Sequence, residues 1–447
     1  MMNSSYRMTE VGLLPDDWDA KRFSECFTLV RNNTYARECL TDHPGSVANV
    51  HYGDVLIKFG AVLDFAKNAV PYLKSDVKPN KDMLRDGDLV FADTAEDEAV
   101  GKAVEVQGLK SRMAVAGLHT VASRPHDGLF APRYLGYYIN SAAYHNQLLP
   151  LITGTKVSSV SRACFLSTYV AIPPKSEQRR IAGALSDVDE LISALGKLIE
   201  KKRNIKTGAM QELLTGKTRL PGFGNPETQR HEVTEFKMTE LGPIPKDWEV
   251  KRLGEVSSLI TKGTTPTSVG CDFECYGINF IKAESISDTG DFIPEKFAHI
   301  DEHTDMLLSR SKLKKGDFLF SIAGVLGRVA LVTDEVLPAN TNQALAVIRL
   351  GSNNIINKRY LFFALKSEYL RSRVKEENVA AAQANLSLQD VNDFHVAVPP
   401  LAEQKAIAAV LSDIDAEIAA LEADRAKYER IKSGMMQELL TGKTRLI

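Results

Sequence analysis

Two stretches of this chain occur twice, and this duplication constrains the fold more than any other feature. The letters MQELLTGKTRL occupy residues 210–220 and return unchanged at residues 436–446. The letters MTEVGLLPDDWDAKRFSE at residues 8–25 are matched in register by MTELGPIPKDWEVKRLGE at residues 238–255. Because both repeats recur in the same order, the 447-residue chain is predicted to contain two copies of one structural unit.

The stretches between these repeats, residues 26–174 and 256–400, share a pattern but little identity. Each has a Gly-Asp turn leading into an apolar strand, at residues 86–91 and 315–320. Further strands, an amphipathic helix and a short strand that ends in a double proline follow in both copies. The sequence therefore predicts an α+β fold with two α/β domains of one design and different surfaces.

After each double proline, apolar residues alternate spacings of four and three, which is typical of a coiled-coil seam. The residues with this spacing are Ile181, Leu185, Val188, Ile192, Leu195 and Ile199, and then Ile407, Leu411, Ile414, Ile418 and Leu421. A helix that lies on its own domain is the alternative. One helix over residues 177–214 would be about 57 Å long. Two such helices are predicted to pair antiparallel with pseudo-two-fold symmetry.

The repeats and the changes of pattern divide the chain into four parts. An opening segment and the first domain form residues 1–174, and the first long helix with its end forms residues 175–220. A linker and the second domain form residues 221–400, and the second long helix forms residues 401–447.

The charge and the cysteine content limit the class of protein. There are 55 basic and 57 acidic side chains, and the net charge of −2 argues against a basic nucleic-acid binder that acts alone. Five cysteines are too few and odd in number for a disulfide framework. No apolar run is long enough for a membrane span, and no signal peptide is recognisable. The sequence predicts a cytoplasmic protein with reduced thiols.

Two motifs resemble parts of enzyme sites. Residues 216–218 and 442–444 read Gly-Lys-Thr like the end of a P-loop, but Gln211 and Gln437 stand where its first glycine belongs. A helix stop with a left-handed glycine is the better interpretation. The acids and lysine in residues 15–21 contain the letters of a nuclease motif, but they are too close together for a metal site. No catalytic residue is predicted.

A possible zinc site is left open by the sequence. Cys271, Cys275, His299 and His303 are residue types that bind zinc, but a predicted strand rather than a finger helix lies between the pairs. The first half has no equivalent, and free thiols are the alternative. No metal site is therefore assigned.

Polar loops in both halves suit the recognition of bases. In the second half these loops lie at residues 261–266, 339–343 and 383–387, and in the first half residues 154–159 stand in the place of the last. Asn and Gln can pair with adenine edges, and Lys and Arg can pair with guanine or phosphate.

The repeats resemble a known family. The opening segments, the runs IPPKSEQRRIAGALSDVDELI and VPPLAEQKAIAAVLSDIDAEI, and the LLTGKTRL ends are similar to specificity subunits of type I restriction-modification systems. Residues 52–54, 101–102 and 117–120 resemble one class of target recognition domain, and residues 263–266 and 342–343 resemble another.

The resemblance implies a non-catalytic subunit whose two target recognition domains each read one half of a bipartite, asymmetric double-stranded DNA target. The paired helices would set the spacer and dock two methyltransferase subunits, which use S-adenosylmethionine to methylate adenine N6. Two restriction subunits with ATP and Mg could be added, and this chain itself would hold no cofactor. The alternative function is a coiled-coil scaffold or regulator that reads no bases. A fused methyltransferase would need an Asn-Pro-Pro-aromatic motif, which the sequence lacks.

Individual residues are assigned from the loops and repeats. The candidates for base contact are Thr155, Lys156 and Ser158 in the first half and Lys262, Thr264, Gln343, Gln383 and Asn385 in the second. The candidates for phosphate contact are Arg112, Arg124 and Arg328. The candidates for partner docking are Gln211, Leu214, Lys217, Arg219, Gln437, Leu440, Lys443 and Arg445.

Overall fold

The computed structural model describes residues 5–79, 82–154, 156–223, 235–352, 355–380 and 385–447. The chain divides into two compact units, of which unit 1 comprises residues 1–197 and 422–447 and unit 2 comprises residues 198–421. Each unit therefore combines one mixed domain with parts of both long helices. The division falls within the helices, whereas the boundaries predicted from the sequence separate the helices from the domains.

Unit 1 contains the following elements in chain order: β1 (Tyr6–Thr9), β2 (Gly12–Pro15), β3 (Asp19–Arg22), α1 (Phe23–Cys26), β4 (Phe27–Val30), β5 (Leu40–Thr41), β6 (Val47–Val50), α2 (Tyr52–Ile57), β7 (Val62–Asp64), β8 (Tyr72–Leu73), β9 (Leu89–Ala92), β10 (Thr94–Ala95), β11 (Ala103–Gln107), β12 (Met113–Ala116), β13 (Thr120–Pro125), α3 (Tyr134–Ile139), α4 (Ala142–Leu148), β14 (Ser158–Ser159), α5 (Arg162–Ser167), β15 (Tyr169–Ile172) and the long helix α6 (Lys175–Leu213), which continues into unit 2.

Unit 2 contains the following elements: β16 (Phe236–Thr239), β17 (Gly242–Pro245), β18 (Glu249–Arg252), α7 (Leu253–Val256), β19 (Ser257–Lys262), β20 (Ile278–Ile281), β21 (Ala298–Ile300), α8 (Glu302–Leu307), β22 (Phe318–Ser321), β23 (Val329–Leu331), β24 (Ala339–Thr341), β25 (Leu345–Leu350), α9 (Lys358–Leu365), α10 (Glu368–Ala380), α11 (Leu388–Asn392), β26 (His395–Val398) and the long helix α12 (Leu401–Leu439), which continues into unit 1.

The main sheet of unit 1 has five strands in the order β4-β13-β9-β11-β7, and a second sheet has the order β12-β6-β8-β5. The β11–β7 and β12–β6 pairs are parallel and the other pairs are antiparallel. All residues of β9 are buried. Leu89 and Phe91 enter one core while Val90 and Ala92 enter another, because successive side chains of a strand point to opposite faces. The apolar run seen in the sequence is therefore a strand covered on both sides.

The main sheet of unit 2 has the order β19-β25-β22-β23, and a smaller sheet has the order β21-β20-β24. The main sheet is antiparallel, whereas β20 and β24 are parallel. In β22, Phe318 and Phe320 enter one core and Leu319 enters another. The central strand of unit 2 is therefore built like that of unit 1, as the repeated Gly-Asp turns predicted.

A buried ion pair fixes the start of the central strand in both units. Asp88 and Asp317 are each 1% exposed. Arg124 donates from Nε and Nη2 to the Asp88 carboxylate at 2.9 and 2.7 Å, and Arg349 donates to Asp317 at 2.7 and 2.6 Å. Each aspartate thus accepts two hydrogen bonds from the guanidinium group of an arginine on a neighbouring strand, which is β13 for Asp88 and β25 for Asp317.

The long helices α6 and α12 each contain 39 residues. Within unit 2 they are antiparallel, because Lys202 contacts Glu417 while Lys206 contacts Asp415, which lies earlier in α12. The predicted seam residues are buried or half-buried. Ile181, Leu185, Ile407 and Leu411 lie in the domain cores, so the first turns of both helices lie on their own domains, as the alternative interpretation expects.

These observations confirm the predicted α+β fold with two domains of one design and two long helices. The predicted helix stops are also confirmed, since α6 and α12 end at Leu213 and Leu439 and are followed by Gly216 and Gly442 at φ +69°. In the described part of the chain, no helix has the length and apolar character needed to cross a membrane.

A buried carboxyl group anchors helix α3 in unit 1. Glu105 lies on β11 and accepts hydrogen bonds from the backbone N–H of Arg133 at 2.5 Å and of Gly136 at 2.9 Å. The side chain of Gln107 donates a third at 2.7 Å. Burial raises the pKa of Glu105 to about 7, although these hydrogen bonds act in the opposite direction.

This raised pKa predicts a pH-dependent stability for unit 1. Between the ordinary carboxyl value of 4.5 and about 7, the folded unit binds more protons at Glu105 than the unfolded chain does. The contribution of Glu105 to the free energy of unfolding should therefore fall as the pH rises through this range and stay constant above it. Chemical denaturation across this range should show a weaker pH dependence in Glu105→Gln than in the wild type, and an equal dependence in both proteins would contradict the prediction.

Candidate nucleic-acid interface

In unit 2, two of the predicted loops lie side by side at the end of β19. The backbone N–H of Gly263 donates to the carbonyl oxygen of Asn342 at 3.1 Å, and that of Thr264 donates to Thr341 at 3.2 Å. The Thr265 hydroxyl donates to Oε1 of Gln343 at 2.5 Å. The loop that follows β19 and the loop that precedes β25 therefore lie together, and they present Thr264 and Gln343 at one edge of the sheet.

The third predicted loop joins the same edge. The backbone N–H of Leu386 donates to Ile322 at 2.8 Å, and the N–H of Ile322 donates to Ala344 at 2.9 Å. Asn385 forms a bridge with Ala323, directly after β22. Asn385 is thereby brought to the edge that holds Thr264 and Gln343, while Gln383 lies outside the described residues.

Side chains at this edge differ in how they are held. Lys262, Gln343 and Asn385 are exposed, whereas Thr264 is half-buried and accepts a hydrogen bond from Arg310 at 3.2 Å. Arg310 was missed by the sequence interpretation, because only its place in the fold brings it to this loop. Arg328 donates from Nε to Asp288 at 2.9 Å, and its backbone N–H donates to Ser321 at the end of β22.

In unit 1, the predicted loop also lies at the end of the central strand. Ser158 pairs with Ala95 in the two-stranded β10–β14 sheet, and Lys156 before it is exposed. The backbone N–H of Val160 donates to Asp93 at 2.9 Å, directly after β9. Thr155 lies outside the described residues. As in unit 2, this loop donates a backbone hydrogen bond to the residue that directly follows the central strand.

The two arginines predicted to contact phosphate in unit 1 have internal partners. Arg112 donates from Nη1 to the carbonyl oxygen of Phe65. Arg124 forms the buried ion pair with Asp88 and also donates to the carbonyl of Met83 at 2.9 Å. Arg124 lies towards the end of β13, whereas the loop edge meets the start of that strand. The fold gives Arg124 a structural role, against the expectation of a phosphate contact, and we do not include it in the proposed interface.

The four potential zinc ligands do not form a cluster. Among the described residues, no group of three or more His, Cys, Asp or Glu side chains is placed to hold a metal ion. Cys271, Cys275, His299 and His303 are all described. The structure therefore does not assemble these side chains into a zinc site.

A buried carboxylate joins the opening segment to both helices in unit 1. Glu177, at the start of α6, accepts a hydrogen bond from Nε1 of Trp18 at 3.0 Å. Arg445, beyond the end of α12, donates to the same carboxylate at 2.7 and 2.8 Å and to Asp17 at 2.7 Å. The hydrogen bonds with Glu177 raise the pKa of Arg445, which therefore stays charged.

The same cluster recurs in unit 2. Glu403 accepts from Trp248 at 3.0 Å, and Arg219 donates to Glu403 at 2.8 and 2.6 Å and to Asp247 at 2.9 Å. The close approach of the repeated end to the opening segment requires a glycine, because a Cβ on Gly216 would lie 2.5 Å from Pro245. We call these two clusters the helix junctions. They explain why the opening segment and MQELLTGKTRL are both repeated, since the two segments bind each other.

The residues predicted to dock partners fall into two groups. Arg219 and Arg445 belong to the helix junctions, and Leu214 and Leu440 are buried in the cores. The exposed members are Gln211, Lys217, Gln437 and Lys443. Only this second group presents its side chains at the surface of its unit.

The helix junctions predict a large effect of one charge. Arg445→Ala leaves the buried Glu177 without its ionic partner, and such a loss typically costs about 3–5 kcal/mol. We expect lower resistance to urea and faster hydrogen exchange in residues 436–447. Lys443→Ala is the matched control, because Lys443 is exposed in the same segment. Equal unfolding curves for the two variants would show that the junction does not stabilise unit 1.

Comparisons with known proteins agree with this architecture. Residues 245–432 match the family model described as the type I restriction modification DNA specificity domain. A putative type I restriction enzyme MjaX specificity subunit from Methanocaldococcus jannaschii is 26% identical, with 99% of this chain and 97% of the relative covered. The MjaVIII specificity subunit of the same organism is 28% identical over 66% of each chain.

Solved structures show the same fold. A chain from a type I restriction-modification system, solved to study complex assembly and conformational transition, has a TM-score of 0.58 and 18% identity. The match covers 96% of this chain and 99% of that one. The S subunit of a type I system from M. genitalium has a TM-score of 0.54 and 15% identity, over 94% and 96% of the two chains.

The duplicated domains, the long helices and the matched specificity domain support a DNA sequence-recognition subunit. Over residues 245–432 the chain matches the specificity domain of these systems, and over nearly its whole length it is similar to a type I restriction enzyme specificity subunit.

Proposed function

We propose that this chain is the non-catalytic base-reading subunit of its complex, with each unit reading one half of a bipartite, asymmetric DNA target. The loop edge of unit 2, with Lys262, Thr264, Gln343 and Asn385, would contact one half-site. The paired helices would set the length of the spacer. The target bases depend on DNA shape as well as on these side chains.

One observation carries this proposal. In each unit, loops that are far apart in the sequence meet at the end of the central strand, on the same framework of backbone hydrogen bonds. The framework repeats, while the side chains on it differ between the units. Two unlike half-sites would require this combination, because base edges are distinguished by the donors and acceptors that meet them.

We further propose that two methyltransferase subunits dock on the long helices and on the exposed residues of the repeated ends, Gln211, Lys217, Gln437 and Lys443. These residues occur in both copies and lie at the surface of their units. A shared docking surface would suit identical partners. The partners would also supply much of the phosphate contact, which accounts for a recognition subunit with a net charge of −2.

The cofactors of the proposed complex would reside on the partners. S-adenosylmethionine would bind the methyltransferase subunits, and ATP with Mg would bind restriction subunits where these are present. In this proposal the complex works in the cytoplasm.

The function is tested by mapping methylated adenines in cells that express this chain with its cognate methyltransferase subunit. We expect a bipartite motif. Gln343→Ala should weaken selection at one base pair of one half-site by about 5- to 150-fold, which corresponds to the 1–3 kcal/mol of a good base contact. Lys315→Ala is the matched control, because Lys315 is exposed before β22, at the other end of that strand, and should leave the motif unchanged.

Replacing residues 26–174 by the corresponding domain of another specificity subunit should change only the other half-site. A change of both halves would refute the assignment of one unit to each half-site. Absence of DNA binding in the presence of the methyltransferase subunits would instead favour a scaffold or regulator.

A further inference from the structure

The backbone frameworks of the two loop edges can be matched residue by residue. Thr120 pairs with Ala92 in unit 1 as Leu345 pairs with Ser321 in unit 2. Three backbone hydrogen bonds of unit 1 continue this register: Asp93 N to His119 O (3.1 Å), Val160 N to Asp93 O (2.9 Å) and Asn33 N to Ala116 O (2.9 Å). Their equivalents in unit 2, in the same order, are Ile322 N to Ala344 O (2.9 Å), Leu386 N to Ile322 O (2.8 Å) and Thr264 N to Thr341 O (3.2 Å).

This register identifies which residues of unit 1 occupy the positions of the unit 2 loops. The equivalent pairs are Arg31 and Lys262, Asn33 and Thr264, Thr94 and Ala323, Leu118 and Gln343, His119 and Ala344, Ser159 and Asn385, and Arg162 and Leu388. Three of these pairs are polar in both units, whereas the other four are polar in one unit only. Where unit 2 presents Gln343, unit 1 presents the apolar Leu118, and the polar residues that only unit 1 has at these positions are Thr94, His119 and Arg162.

His119 is held in an unusual conformation at this edge. Its φ of +52° lies in the left-handed region, which few residues other than glycine adopt and which is often found at functional sites. The Nδ1 atom lies 3.4 Å from the Thr94 hydroxyl and 3.6 Å from the Asp93 carboxylate. The ring of Tyr52 meets the imidazole edge to face at 5.3 Å. The side chain is nevertheless 49% exposed.

Arg162 is fixed beside the same edge. Its Nη2 donates to Oδ1 of Asn32 at 2.6 Å, and the amide of Asn32 donates to the carbonyl of Gly117 at 3.3 Å. Gly117 precedes Leu118 and His119, so these contacts tie Arg162 to the loop that carries the histidine. Arg162 remains exposed at the first position of α5.

We propose that His119 and Arg162 are the base-reading residues of unit 1, and that Asn32, Asp93 and Tyr52 position them. This inference rests on the proposed function, in which each unit reads one half-site. The guanidinium fork of Arg162 suits O6 and N7 of guanine, and the imidazole of His119 offers a hydrogen-bond group to the neighbouring base edge. Lys156, Ser158 and Arg112 are not required for base selection in this assignment.

The test compares methylation motifs for the complete complex with the wild-type chain, His119→Ala, Arg162→Ala and the double variant. Each single variant should relax selection at one base pair by about 5- to 150-fold, and only in the half-site that exchange of residues 26–174 alters. Arg162→Lys keeps the positive charge but loses the planar fork, so it should also relax selection for guanine. Arg112→Ala is the control and should leave both half-sites unchanged.

The outcomes separate this inference from the function on which it rests. A double variant that selects both half-sites like the wild type would refute the roles of His119 and Arg162 while the bipartite motif still supports the proposed function. Full retention of selection in Arg162→Lys would mean that the charge contacts phosphate, which also contradicts base reading. A wild-type complex without a bipartite motif would refute the proposed function and this inference together.

Discussion

The architecture of each unit depends on one buried carboxylate. Glu177 and Glu403 stand at the starts of the two long helices, and each is surrounded by a tryptophan from the opening segment and an arginine from beyond the other helix. A carboxylate in such a place is costly without partners, and each one is matched by an arginine fork and an indole N–H. The cluster therefore fixes three separate parts of the chain against one another.

A neighbouring glutamine completes this attachment. Gln178 donates to the carbonyl of Pro173 at 2.8 Å and accepts from the backbone N–H of Ala131 at 2.7 Å. Gln404 makes the equivalent contacts with Pro399 and Asn357. The double proline, the Glu-Gln pair and the tryptophan are thus repeated because each domain is fastened to its helix in the same way. The loop edges are free of this constraint, and their side chains diverge.

Much of this organisation could be predicted from the sequence, because periodicity and repetition are local signals. The spacing of Ile181 to Ile199 predicted a helix, and the repeated Gly-Asp turns predicted two domains with the same central strand. The partners of charged side chains could not be predicted. Arg124 looked available for phosphate, yet Asp88 lies 36 residues away and meets it only after the strands pair. Likewise, the repeated ends suggested a surface for partners, whereas Leu214, Arg219 and Leu440 are buried and Arg445 is half-buried within their own units. His119 lies in the run 117–120 that resembles a target recognition domain, but its place at the edge follows from the strand register.

The discontinuous composition of unit 1 has a consequence for synthesis. Arg445 contacts Asp17, 428 residues earlier, so roughly 20 to 90 seconds of translation separate these partners at about 5–20 residues per second. The residues of unit 2 are complete before the segment 422–447 is made, whereas unit 1 must wait for it. The opening segment with Trp18 therefore leaves the ribosome long before its binding site exists. A chain interrupted before Arg445 would contain every residue of unit 2 but would lack the arginine that pairs with the buried Glu177 in unit 1.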